Sequence, residues 1–422
     1  MTAIAALDAP LVAADLQRQL AHWLAAARTF RDAEEFASLE AWRSVERDTG
    51  APLREHIHAI VQELIGLGEA AQRMLDAARA DPARLPAVAA AVLRFRRRYV
   101  QVDTTLDFLG DAVNSRTSDV LRAALSTLDD LAYASMAPAL QRAGKPTPRV
   151  LVYQDKGTGA SIIRAGVRLW APGAVMPVAA IKIVRHNLYR PTSLFHETGH
   201  QVAHLTGWTG GLRDALTGML ADDRELAAMW TPWASEIVAD VFAFLHTGYA
   251  SVAALYDVVG DPAAILRWPI GDPHPIGWLR TALGCAFAAH CFGREGPWAQ
   301  MLRAMDAHYP PTLADEAVRP LLARSRAAMP RIAAACLEAP VPALGGKPML
   351  TVHDPARVSP KALAELERGA GAALWTSPHW RRAEGIRIVA LAGLREAENP
   401  AAAPQWIERA RNWLTAPQAR AA

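Results

Sequence analysis

One short β-rich segment between two long stretches of helical periodicity constrains the fold of this chain most strongly. Short apolar runs separated by glycine and proline turns are typical of strands of about four to eight residues. They occur at Val150–Tyr153, Ser161–Ile163, Val167–Trp170 and Val178–Val184. On either side, apolar residues recur at helical spacing, as in the series Ile57, Ile60, Val61 and Leu64. The pattern predicts an α+β fold, mainly α, with a small antiparallel sheet.

The distribution of helix-breaking residues predicts three regions. These are a helical N-terminal region at 1–145, a central domain with the sheet at 146–338, and a small helical C-terminal module at 359–422. The prolines and glycines concentrated between Pro340 and Pro360 are typical of a linker. The expected core of the C-terminal module consists of Trp375, Trp380, Trp406 and Trp413.

Charge and cysteine usage exclude several classes of protein. The 45 basic and 42 acidic side chains leave a formal net charge of +3, too small to predict binding to nucleic acid or to an anionic membrane. The densest basic run, Arg94–Tyr99, is interpreted as a solvated helix face. Three cysteines cannot form a disulfide framework. We find no membrane span and no signal peptide, so we expect a soluble, cytoplasmic protein.

The most informative motif is HETGH at residues 196–200, an HExxH sequence between a helix-start signal and a glycine stop. Residues four apart on a helix differ by about 40° in azimuth, so His196 and His200 project from one face. Two imidazoles at this spacing can hold one zinc ion. Glu197 is turned by about 100° from His196, close enough to act on a water molecule at the metal without being a ligand.

A tetrahedral zinc site needs a third protein ligand. The metzincin arrangement is excluded, because position 206 is not histidine. His204 lies one further turn along the helix axis, which makes it a poor third ligand. Glu236 is favoured, because it shares a helix face with Asp240 and its neighbours are apolar nearly all round. Buried acids need a partner, and Asp240 would accept the outer N–H of a ligating imidazole.

HETGH followed by EIVAD at residues 236–240 resembles the gluzincin clan of zinc metallopeptidases, in which a glutamate of an ExxxD helix is the third ligand. HPIGWLR at residues 274–280 is similar to the HPxxxxR motif of gluzincins of the CAAX-prenyl-protease and HtpX type. The motifs cover roughly a fifth of the chain. The membrane helices of that group are missing from this sequence, and its N-terminal helices and C-terminal module have no counterpart there.

The resemblance implies a zincin-like catalytic domain over residues 146–338 with one zinc ion per chain. The implied ligands are His196, His200 and Glu236. The resemblance also implies that Glu197 is the catalytic base and that Asp240 supports a ligating histidine. It places His274 and Arg280 near the substrate or the transition state.

Three residues have a second interpretation from the sequence alone. His274 stands in a proline-rich loop before a helix, where it could donate to a developing oxyanion or only cap the helix. Arg280 could pair with Asp240, with Glu236 or with a surface acid. Tyr189 lies between the last predicted strand and the HExxH helix, so it either borders a substrate cleft or packs in the core.

The favoured function is hydrolysis of peptide bonds by a zinc metallopeptidase, with a peptide or protein substrate and a protein partner for the C-terminal module. Two alternatives stay open. One is a catalytically silent zinc-binding interaction protein, against which the intact Glu197 argues. The other is a zinc amidase that acts on a non-peptide amide. An open strand edge beside the HExxH helix would favour a peptide, since a peptide needs backbone pairing.

Overall fold

A computed structural model describes residues 8–157, 159–167, 175–268 and 272–416. The chain divides into two compact units, Met1–Arg122 with Ala165–Val178, and Ala123–Arg164 with Ala179–Ala422. The architecture is α+β and mainly α, as predicted, with one small sheet. Within the described residues, we find no helix both long and apolar enough to cross a membrane.

Helices form the first unit. They are α1 (Ala9–Thr29), α2 (Leu39–Val45), α3 (Ala51–Ala78) and α4 (Leu85–Asn114). Apolar residues three or four positions apart along α3, such as Leu53, Ile57 and Ile60, are buried against the neighbouring helices. A fifth helix, α5 (Asp119–Arg142), begins in this unit and continues into the second one. The predicted helical N-terminal region is therefore helical as expected, although the division into units falls earlier than residue 145.

The sheet of the second unit has three strands, β1 (Val150–Gln154), β2 (Ser161–Ile163) and β3 (Ala179–Ile183), in the order β1-β3-β2. β2 and β3 are antiparallel, but β1 and β3 are parallel, so the predicted all-antiparallel sheet is wrong. The strands alternate in direction along the chain, but β3 lies between β1 and β2 in the sheet, so it pairs in parallel with β1. Residues 168–170 of the predicted strand Val167–Trp170 lie outside the described residues.

Twelve helices follow β3 in the described part of the second unit. They are α6 (Thr192–Thr206), α7 (Trp208–Met219), α8 (Arg224–Trp230), α9 (Ala234–Thr247), α10 (Tyr249–Val259), α11 (Gly277–Phe292), α12 (Pro297–His308), α13 (Arg319–Leu337), α14 (Pro360–Ala370), α15 (Ala373–Thr376), α16 (Pro378–Glu398) and α17 (Ala403–Thr415). α9 is the centre of this unit, since Ile237, Val238 and Phe242 on different sides of it are all fully buried. Helices packed all round it hold its polar residues in fixed positions.

The segment between Pro340 and Pro360 is a packed strap, in contrast to the linker that its composition predicts. Its prolines and glycines form short 3₁₀ turns. Val341 and Met349 are fully buried and Val358 is nearly so. The strap and the helices after it belong to the same compact unit as α6 and α9. The C-terminal helices are thus part of that unit and do not form a separate module.

Gly211 of α7 provides a test of this packing. A Cβ atom at Gly211 would lie 1.9 Å from the backbone oxygen of Pro340, so Gly211→Ala forces the strap and α7 apart. We expect a loss of about 1–3 kcal/mol in the free energy of unfolding, measured by urea denaturation. Gly210→Ala is the matched control, because nothing lies within 4 Å of its added Cβ. That control should stabilise α7 by up to about 1 kcal/mol. Equal stabilities of the two variants would contradict a packed strap.

Candidate metal centre

Two packed helices, α6 and α9, bring together the side chains of His196, His200 and Glu236. The Nε2 atoms of His196 and His200 are 3.1 Å apart. Glu236 Oε2 lies 3.3 Å from His196 Nε2, and Glu236 Oε1 lies 3.5 Å from His200 Nε2. The three side chains therefore point their ligand atoms at one common position, as the sequence predicts.

The local sequence explains why the two helices can approach so closely. A Cβ atom at Gly199 would be 2.9 Å from Ala239 Cα, so the fourth residue of the motif must be small. The Thr198 hydroxyl donates to the Phe195 carbonyl and accepts from Ser135 of α5 at 3.0 Å, which ties the back of α6 to a neighbouring helix. The helix ends at Gly207 in the left-handed conformation, as its position after the motif predicts.

These distances fit a single tetrahedral metal ion. Bonds of about 2.0–2.2 Å to nitrogen and oxygen place tetrahedral ligand atoms about 3.3–3.5 Å apart, which is close to the separations seen here. Glu236 Oε2 is buried and has no hydrogen-bond partner within the described part of the protein. Two imidazole nitrogens and a carboxylate oxygen around one point form a suitable donor set. His196, His200 and Glu236 can therefore hold one metal ion.

Asp240 orients the first of these ligands. Its Oδ1 atom lies 2.9 Å from His196 Nδ1, and because a carboxylate can only accept, Nδ1 carries the proton and Nε2 faces the metal position. Arg280 of α11 then holds Asp240 with two hydrogen bonds, from Nε at 2.6 Å and from Nη2 at 2.8 Å. Of the partners that the sequence leaves open for Arg280, the structure thus selects Asp240, with Glu236 Oε2 further away at 3.7 Å.

Charge in this cluster is balanced by close pairing. Burial alone would raise the pKa of Asp240, but the Arg280 guanidinium and His196 hold it well below its usual range. Burial likewise opposes a charge on His196, yet Asp240 and Glu236 raise its pKa to about 10. Burial and the neighbouring His196 lower the pKa of His200 to about 4. In the protein without metal, a proton on His196 supplies the positive charge that a metal ion would otherwise provide between the two acids.

Glu197 is not one of the three ligands. Together with His196, it lines a cleft at the site. Its side chain is almost fully buried, with only 5% of the residue exposed. Burial raises the pKa of Glu197 to about 7, with nearby His196 acting against the shift and Glu236 adding to it. A carboxyl group that titrates near neutrality can both take up and release a proton, which is the requirement for a general base and acid.

The cleft is a cavity of about 560 Å³ that extends from these polar groups into an apolar end. Its polar end contains Glu197, His274 and Arg280. Its apolar end is formed by side chains of α9, α10 and α11, among them Phe244, Val252, Leu255, Leu283 and Phe287. A volume of this size can hold a small ligand or the side chains next to one bond of a larger one.

The remaining predicted residues fall in different places. His274 Nε2 is 3.3 Å from Glu236 Oε2, and the other ring nitrogen bonds to Asp272, so His274 belongs to the site. His204 is exposed on α6 and is not part of the ligand group found in the described residues. Tyr189 faces a crevice beside Trp375 and Trp413, and the described lining of the metal cleft does not include it. We therefore interpret Tyr189 as a packing residue.

Sequence reasoning missed two supporting residues. Asp272 fixes the ring of His274, and its only signal is that an aspartate two positions earlier can accept from the following backbone, as it does here at 2.9 Å. Arg190, immediately before α6, binds Asp257 of α10 at 2.6 Å and Glu396 of α16 at 3.0 Å. The C-terminal helices thus anchor the start of the HExxH helix, a long-range contact that no local pattern reveals.

Comparisons of the chain with protein-family models, with curated proteins and with solved structures gave no match. The resemblance to gluzincins therefore depends on the three short motifs and on the geometry around them.

Proposed function

We propose that the protein is a zinc-dependent peptidase in which Glu197 is the general base. The observation that carries the proposal is the buried Glu197 carboxyl, which lines the cleft together with His196 and is not one of the three ligands. Metal binding alone needs only His196, His200 and Glu236, so an additional buried acid that lines the cleft supports a role in proton transfer. This is the argument against a silent binding protein.

Zinc is the metal that the donor set favours, because two imidazoles, one carboxylate and an open fourth position are typical of catalytic zinc. When bound, zinc would supply Lewis-acid activation of water and of the scissile carbonyl. The protein groups have separate tasks. Glu197 takes the proton of the attacking water and passes it to the leaving amine. Asp240 holds His196 in the required tautomer, and Arg280 keeps Asp240 ionised.

The sheet supports a peptide rather than a simple amide as substrate. β2 is an edge strand, and Gly159 and Ala160 directly before it line the cleft. The backbone N–H and C=O groups of an edge strand can pair with an extended peptide, whereas a small amide offers no backbone to pair with. The apolar end of the cleft would then receive a large apolar side chain next to the scissile bond.

A peptide-library digest analysed by mass spectrometry tests this proposal. The zinc-loaded protein should cleave peptides with a preference for a large aliphatic or aromatic residue beside the cleaved bond. The chelated protein should be inactive, and added zinc should restore cleavage. If the zinc-loaded protein left every peptide intact but hydrolysed small acyl amides, the amidase alternative would replace the peptidase. If it hydrolysed neither, a binding role would replace both.

His274→Ala should lower turnover without removing the metal. His274 is held by Asp272, is half-exposed, and presents Nε2 towards the ligand group, so it can donate to a developing oxyanion. One such donor is worth about 10²–10³ in kcat. Initial rates on a cleaved library peptide, with zinc content measured in parallel, check the expectation. An unchanged kcat would mean that His274 only caps the helix and does not contribute to catalysis.

A further inference from the structure

A second cavity, of about 620 Å³, lies in the same unit as the metal cleft. Its walls come from α5, the last turn of α9, the strap and the first turns of α16. The two cavities share no lining residue among those described, since α9 contributes Leu245 and His246 here but Ala243 and Phe244 to the metal cleft. The proposed hydrolysis therefore does not use this second cavity.

Arg382 also lines this cavity but is exposed to solvent, so the partly buried cation without an acidic partner is Arg381. Its guanidinium is half-buried and donates from Nη1 to the backbone oxygen of Ala416 at 2.7 Å. No carboxylate of the described residues forms an ion pair with it, and burial lowers its pKa. Two other arginines of the lining, Arg357 and Arg387, are instead both paired with Glu384, at 3.3 and 3.1 Å. A partly desolvated cation without an anion is costly and is a natural position for an anionic ligand.

The backbone of α16 explains why Arg381 stands apart from these pairs. Helical geometry is interrupted at Glu384, where φ is −130° and ψ is 17°. This kink separates the turn that carries Arg381 from the turn that carries Arg387. Glu384 therefore pairs with Arg357 and Arg387, and Arg381 lies at the cavity wall without a carboxylate partner. The other two acids of the lining, Asp130 and Asp354, are exposed, and Asp354 accepts the N–H of Ala356 in its own turn.

An imidazole in the lining adds an unsatisfied polar atom. The rings of His246 and His353 are 4.3 Å apart between centroids. His246 is held by the backbone, since its Nδ1 donates to the Phe242 carbonyl at 2.7 Å and the ring also contacts the Ser135 backbone. The Nε2 atom of His353 is buried without a hydrogen-bond partner in the part of the chain that is described. Because an unsatisfied buried polar atom is costly, His353 favours a polar ligand or ordered water in the cavity.

We propose that this second cavity binds a small organic anion. Its carboxylate, phosphate or sulfonate group pairs with Arg381, and its apolar body packs against Leu131, Val352 and Ile386, which also line the cavity. The volume falls within the range of about 300–1,000 Å³ that is usual for small-molecule sites. Because the lining is separate from the metal cleft, the anion is a second ligand and not the substrate.

Fluorescence titration with 8-anilinonaphthalene-1-sulfonate, an aromatic sulfonate, tests the proposal on the full chain. The wild type should bind one equivalent, and Arg381→Met should weaken binding at least tenfold. Arg368→Met is the matched control, since Arg368 of α14 is exposed and also contacts only a backbone oxygen, that of Ala364. It should bind as the wild type does. His196→Ala should also leave the affinity unchanged, because His196 does not line this cavity.

Two further experiments distinguish binding at this cavity from unspecific binding of the probe. Ala134 is exposed and lines the cavity, so Ala134→Trp should block the probe without disturbing the core, even if Arg381→Met folds poorly. Displacement of the probe by 1-naphthoate or by 1-naphthyl phosphate should identify the preferred head group. Displacement by neither would overturn the proposal. So would wild-type affinity in both Arg381→Met and Ala134→Trp, or equal affinity for the uncharged probe N-phenyl-1-naphthylamine.

Discussion

Replacing Glu197 with glutamine is expected to reduce turnover by roughly 10²–10⁴ while the metal stays bound. Glutamine keeps the volume of the side chain and part of its hydrogen bonding, but it cannot take a proton from the attacking water. Because Glu197 is not one of the three ligands, the metal content should equal that of the wild type. Steady-state rates on a cleaved peptide measure the turnover, and elemental analysis of the same preparation measures the metal content.

Two comparisons make this result specific to proton transfer. Glu225→Gln serves as a control, because Glu225 is a surface acid of α8 whose partner is Arg324, and its rate should not change. Glu197→Asp should recover part of the activity, because aspartate restores a carboxylate. Its shorter side chain leaves that carboxylate slightly further from the attacking water. If Glu197→Gln hydrolysed peptides at the wild-type rate, the assignment of Glu197 as the general base would fail.

Replacing Arg280 with methionine should lower the free energy of unfolding by about 3–5 kcal/mol, the usual cost of removing one partner of a buried ion pair. Arg280 and Asp240 are 8% and 14% exposed in their side chains, and two hydrogen bonds join them. Without the guanidinium, Asp240 must stay charged and unpaired or take up a proton. Either change also weakens its hold on His196, so metal affinity should fall as well.

Urea denaturation of the metal-free proteins measures this loss. The control is Arg395→Met, because Arg395 also binds a carboxylate through two nitrogens, that of Glu367, but both side chains are more than a quarter exposed. An exposed pair is worth at most about 1 kcal/mol. Similar losses in Arg280→Met and Arg395→Met would contradict the buried, paired arrangement behind the ligands.

The ligand residues could be predicted because their arrangement is local. His196 and His200 share a face in any α-helix, and the same is true of Glu236 and Asp240 on α9. Apolar neighbours on α9 indicated that Glu236 would be buried and in need of a partner. What the sequence left open was which acid Arg280 binds, since 40 residues separate it from Asp240 and only tertiary packing joins them.

The errors have equally physical causes. The parallel pair arises because β3 lies between β1 and β2 in the sheet, and no local pattern determines which strands become neighbours. Prolines and glycines mark turns whether a turn is exposed or buried, so the strap from Pro340 to Pro360 was predicted as a linker. For Tyr189 the sequence leaves two interpretations open, and only the tertiary structure places it at a crevice with Trp375 and Trp413. The second cavity has no sequence signature, because its walls come from four separate parts of the chain.

Elemental analysis of the purified protein after mild chelation tests the metal centre most directly. The proposed function predicts one tightly bound zinc ion per chain in the wild type. Glu236→Ala should lose it, because the ion would keep only His196 and His200. His204→Ala is the matched control on the same helix and should retain the full amount. A full zinc content in Glu236→Ala, together with a loss in His204→Ala, would contradict the assignment of Glu236 as the third ligand.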